Sequence, residues 1–131
     1  MHLRLDLAQR LAEQLGYSAR LESPLALRVT LRPEVELVYR NEADRLDNWI
    51  GFSGSAWHCH DELTMELEDG STASYDELQI LTALNVGELL VVTLLLDGEL
   101  WQRWLQHVRE PLQLGHLAAN RELRVQQATA R

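Results

Sequence analysis

The chain is expected to fold as an α+β domain, with an antiparallel, meandering sheet of about five to six strands and helices packed on one face. Three observations predict this. Apolar and polar residues alternate at every second position over 25–32, 35–39 and 62–68. Residues 7–15 and 78–84 carry apolar side chains at helical spacing. Turn pairs, among them Pro33-Glu34, Asp69-Gly70 and Asp97-Gly98, separate these stretches. With 131 residues, 46% of them hydrophobic and 24% charged, a single domain over 1–131 can bury a proper core. No repeat, linker or low-complexity stretch divides it.

Taken in order, Asp6 is positioned to cap a short helix that ends at Gly16, with Leu7, Leu11 and Leu15 as its apolar stripe. Tyr17 to Pro24 reads as a loop. Leu25 to Arg32 sets Leu25, Leu27, Val29 and Leu31 on one face of a half-buried strand, and Val35, Leu37 and Tyr39 form the second arm of a hairpin. Asn41 to Asp44 is a turn. Arg45 to Phe52 is a strand, with Leu46, Ile50 and Phe52 in phase, and Gly54-Ser55 ends it. Glu62 to Glu68 alternates again. Ser74-Tyr75-Asp76-Glu77 fits a capping box that opens a helix over Tyr75 to Val86, closed by Gly87. Glu88 to Leu96 is apolar on both faces, as a central strand is. Glu99 to Val108 follows an Asp-Gly turn as a strand; its alternative is a short helix carrying Leu100, Trp101, Trp104, Leu105 and Val108 on one face. Residues 112–131 are only weakly amphipathic and are expected to be weakly structured.

Charge is distributed unevenly. The net charge is −8, all twelve basic residues are Arg, and Leu46 to Gln102 contains no basic residue but eleven acids. An acidic chain without clustered Arg argues against nucleic acid as a partner. The one-signed segment suggests a surface that attracts a cationic protein. The single cysteine, Cys59, cannot form an internal disulfide, which favours a reducing, cytoplasmic setting. Met1 to Asp6 does not open a signal peptide, and the apolar run Leu89 to Leu96 is too short to span a bilayer, so no membrane partner is expected.

The densest polar cluster is Trp57-His58-Cys59-His60-Asp61-Glu62. Two histidines two apart share a strand face and can chelate a metal, with Asp61, Glu62, Glu66 or His107 completing three ligands. Ordinary histidines on a solvated or partner-facing strand, with Trp57 and Cys59 turned inward, are the commoner arrangement. Neighbouring residues of a strand point oppositely, so neither imidazole is placed to activate Cys59. Rows such as Glu62, Glu66 and Glu68 are more often a solvated face than an acid–base pair. There is no Gly-rich phosphate loop and no nucleophile elbow, and no motif calls for a cofactor.

Gly54-Ser55-Ala56-Trp57-His58-Cys59-His60 and the block Ser74 to Leu112 resemble small bacterial immunity proteins of polymorphic toxin systems, over about half of the chain. That resemblance implies a cytoplasmic, non-catalytic inhibitor that covers a cognate toxin; an acidic inhibitor suits a basic toxin, because complementary charge speeds association. The expected partner-binding residues are Trp57, His58, His60, Asp61, Glu62, Glu66, Glu68 and Asp69. The element order is also similar to that of acidic, homodimeric chaperones of secreted effectors. Such chaperones run helix, three strands, helix, two strands, helix, and lack the Trp57 to Glu62 cluster as a hallmark. A small metal-dependent enzyme using His58 and His60 is the third reading. The oligomeric state, monomer or dimer, stays open.

Overall fold

Five consecutive strands form an antiparallel meander, in the order β1 (Ser18–Ser23), β2 (Ala26–Arg32), β3 (Val35–Asn41), β4 (Asn48–Phe52) and β5 (His58–Cys59). The computed structural model describes residues 2–44, 46–110 and 119–130. Helix α1 (Leu5–Leu15) precedes the meander. A separate two-stranded hairpin, β6 (Leu63–Glu66) and β7 (Thr72–Tyr75), leads into helix α2 (Glu77–Asn85). A third sheet follows, of β8 (Leu89–Leu96), β9 (Glu99–His107) and β10 (Arg121–Gln127), with β8 in its centre. The architecture is α+β as expected, but its strands are divided among three sheets.

The alternation of β2 has the expected cause. Leu27, Val29 and Leu31 are buried, and they join Leu37, Tyr39, Ile50 and Phe52 of β3 and β4 in one apolar layer. Leu5, Ala8 and Ala12 of α1 and Ile80, Leu81 and Leu84 of α2 close over it, and Leu89, Val91 and Leu105 of the third sheet complete the same cluster. Both helices end on left-handed glycines, Gly16 at φ 100° and Gly87 at φ 79°, a conformation that glycine adopts without a Cβ clash. Asp97 and Gly98 both have positive φ, which matches the right-handed twist of the β8–β9 hairpin. Among the described residues no helix is long and apolar enough to cross a membrane.

Several elements differ from the sequence reading. Tyr17 to Pro24 is no loop, because Ser18–Ser23 pairs with β2 as an edge strand. Most of that strand is exposed on both faces, so burial imposes no alternation on it. Arg4, whose side chain makes no capping bond, occupies the N-cap of α1; Asp6 lies in the first turn and pairs with Arg10 one turn on. The capping box of α2 is Asp76 with Gln79, shifted by two from Ser74 and Glu77, since Ser74 and Tyr75 belong to β7. Leu46 is 78% exposed and outside the apolar phase of β4. Glu99–His107 is a strand throughout. Residues 112–118 lie outside the described residues, whereas 121–127, expected to be weakly structured, pair with β8 over seven consecutive residues.

Candidate functional site

A single buried side chain organises the acidic segment. Asn48 is 1% exposed; its Oδ1 accepts from the Asp61 amide at 2.6 Å and its Nδ2 donates to Asp61 Oδ1 at 2.8 Å. Asp61 has φ 61°, a left-handed conformation that aspartate tolerates better than most residues. The reciprocal pair therefore pins the bend that ends β5 and turns the chain toward β6. His60 is drawn to the same place. Its Nδ1 donates to the Asn48 carbonyl and lies 3.2 Å from Asp47 Oδ1.

The bend opens onto a groove of about 750 Å³, lined by His60, Asp61, Glu62 and Thr64 on one side and by Arg4, Asp76 and Glu77 at the helix N-termini on the other. The carboxylates across it differ in state. Glu77 is buried and accepts from both the amide and the guanidinium of Arg4, at 2.9 and 2.8 Å, and Asp76 lies 3.3 Å from the same guanidinium. The hydrogen bond and charge of Glu77 hold the Arg4 guanidinium above its ordinary pKa. Asp61, Glu62, Glu66 and Glu68 are exposed and, among the described residues, no cationic side chain pairs with them.

The other expected site residues separate. Trp57 is half-buried and packs toward Phe52, with ring centroids 6.1 Å apart, and Cys59 also turns to the core. Asp69 sits in the β6–β7 turn, where the Ser71 hydroxyl and amide, with Arg109 farther off, hold its carboxyl below the usual range. Glu66 lies on the outward face of β6, one alternation beyond Thr64. The structure thus brings His60, Asp61 and Glu62 together, places Glu66 farther along the outward face of β6, sets Glu68 and Asp69 in the β6–β7 turn, and turns Trp57 inward.

His58 joins a group that the sequence reading missed. On the outward face of the meander, Arg40 is paired with Trp49, and Gly51 with His58. The Arg40 guanidinium carbon lies 4.4 Å from the Trp49 ring centroid, and the His58 ring stacks on that indole at 5.5 Å and 21°. His60 meets His58 edge-on at 5.0 Å. The result is a cation–π and aromatic ladder that ends at the acidic groove. The only sequence trace of it is Trp49 and Gly51 two apart on a strand, an aromatic beside a glycine it can cover. Arg40 enters through strand register, which the sequence does not display.

Among the described residues no three His, Cys, Asp or Glu side chains are placed to hold a metal. His107 is buried in β9, where its Nδ1 accepts from the Arg109 amide. Burial pushes the Cys59 thiol from 9.0 up to about 12, so its nucleophilic thiolate is suppressed near neutrality. Alkylation of Cys59 at pH 8 is therefore expected to be roughly a thousandfold slower in the folded chain than in urea; equal rates would place the thiol in solvent. Burial likewise raises Tyr17 and Tyr75 from 10.0 to about 12. The stability these neutral forms contribute is complete below pH 9 for the thiol and below pH 10 for the phenols. It is lost as the pH climbs toward 12. Denaturant midpoints measured at rising pH should fall across that window.

Compared with protein families, with curated proteins and with solved structures, the chain matches none.

Proposed function

We propose that the chain is a non-catalytic binding protein that covers a basic protein partner with the face formed by His58, His60, Asp61, Glu62, Glu66 and Glu68. The observation that carries this reading is the row of exposed carboxylates, Asp61, Glu62, Glu66 and Glu68, without cationic partners among the described residues. Across the groove Asp76 and Glu77 are already paired with Arg4. Unpaired carboxylates raise the local field and speed the encounter with a cationic surface. The Arg40–Trp49–His58 ladder beside them supplies the Trp and Arg side chains in which binding energy tends to concentrate.

The reading fits a toxin-neutralising immunity protein, with a basic toxin as the partner. The effector-chaperone alternative fits less well. Seven strands separate the two helices here, and the last described element is a strand.

Co-expression with the product of the neighbouring gene provides the test. A stable complex is expected. At low salt, the double variant Glu66→Lys, Glu68→Lys should associate about tenfold more slowly, with dissociation and thermal stability unchanged. Association at the parent rate at low salt would remove this face from the interface.

A further inference from the structure

We infer that β10 pairs with β10 of a second copy of this chain, joining two three-stranded sheets into one six-stranded sheet. Among the described residues, the strand order β10-β8-β9 leaves the outer edge of β10 without a partner strand. Among the described residues, no backbone group of β10 between Arg121 and Gln126 bonds to anything but β8. An unpaired row of amides and carbonyls is a template for another strand. Pairing with β8 runs without a bulge over seven residues, so the edge is regular enough to extend. Val125 is 44% exposed on it.

The order of side chains specifies the partner. In Arg121-Glu122-Leu123-Arg124-Val125, an antiparallel copy centred on Leu123 sets Glu122 against the partner copy's Arg124 and Arg124 against its Glu122. Leu123 then meets Leu123, and Arg121 meets Val125. A two-fold axis normal to the sheet keeps each face aligned with its own kind, which excludes registers that mix the faces. Centring on Glu122 or on Arg124 would oppose like charges, which destabilises a cross-strand pair. Only the register at Leu123 makes both unlike pairs. In the single chain the Glu122 carboxylate and the Arg124 guanidinium bond to each other along the strand and are both more than half exposed, so both can turn to a partner.

The edge strand of the meander, in a different sheet, shows why β10 is the edge to join. Strand β1 carries a comparable order, Arg20-Leu21-Glu22, but its register with β2 breaks between Leu21 and Ser23. An irregularity of that kind bends a strand away from further pairing. The inference does not rest on the partner-binding face, which lies in other sheets. A strand edge of this length buries less surface than permanent dimers do, so the association is a reversible one.

Sedimentation velocity over a concentration series tests the pairing on the full chain. The parent is expected to dimerise reversibly. Glu122→Arg alone sets Arg against Arg, and Arg124→Glu alone sets Glu against Glu; each should dimerise about tenfold more weakly. An equimolar mixture of these two variants restores both unlike pairs and should recover the parent's dimer content. A monomeric parent at every concentration overturns the inference, and so does a dimer that both variants retain. As a measurement on the parent alone, hydrogen exchange at the amides of 121–127 should slow as concentration rises; exchange independent of concentration overturns it as well.

Discussion

Replacing Gly51 with alanine should destabilise the fold by about 2–3 kcal/mol, as overpacking in a closed site does. The backbone of Gly51 is not left-handed, so the penalty is purely one of space. A Cβ built there would lie 2.5 and 2.7 Å from the outer carbons of the Trp49 ring and 2.7 Å from the carbonyl oxygen of Trp57. The indole cannot move aside freely, since Arg40 holds it on one side and His58 stacks against it. Nor is the indole the whole obstacle. The Trp57 carbonyl is backbone, and it immediately precedes His58, the residue of β5 paired with Gly51. Removing the ring with Trp49→Ala would therefore relieve only part of the strain. Gly51→Ala should still lower the melting temperature in that background, by roughly 3–4 °C for each kcal/mol that remains. A Gly51→Ala chain that melts with the parent would mean that β5 does not lie against β4 as described.

Gly51 also marks where sequence reading succeeds and where it stops. Leu27, Val29, Leu37, Ile50 and Phe52 are legible because one face of each strand is buried, and burial selects alternate residues. The edge strands β1 and β10 are largely exposed on both faces, so nothing in their apolar pattern separates them from loops. Two overlapping capping signals begin at Ser74 and at Asp76. The choice depends on Tyr75, whose ring is buried in β7 and whose hydroxyl donates to Glu88 at 2.8 Å. That is a tertiary contact, invisible locally. The acidic cluster was legible as a run of residue types, and His60, Asp61 and Glu62 do line one groove. Trp57 and Asp69 belonged to the run but not to the site, because one side chain turns inward and the other closes a turn. Arg40 and Trp49 belong beside the site but not to the run, because register across β3, β4 and β5 assembled them.

Arg103→Ala should destabilise the protein by about 2–4 kcal/mol, through buried hydrogen bonds left without their donor and a vacated volume. Arg103 interrupts the chain's long acidic stretch in sequence, yet it adds no cation to the acidic surface, because it is buried in β9. Its Nε donates to the buried Thr93 hydroxyl at 2.9 Å, and its Nη1 to the Glu34 carbonyl at 3.1 Å. Glu34 lies in the turn between β2 and β3 with φ 69°, so one guanidinium links the third sheet to the meander. The Ser55 hydroxyl adds a second link, bonding to both the amide and the carbonyl of Arg103. Burial holds the guanidinium below its ordinary pKa, with the Glu34 charge opposing. Neutral oxygens rather than a carboxylate thus bear most of the work of replacing water. The conservative series separates the causes. Lysine lacks the planar fork needed to reach both acceptors and should recover little of the loss. Methionine fills the volume without a charge to desolvate, and should recover more than lysine does. If lysine instead restores the parent's stability, charge alone is sufficient and the two-acceptor bridge between the sheets is not what Arg103 contributes.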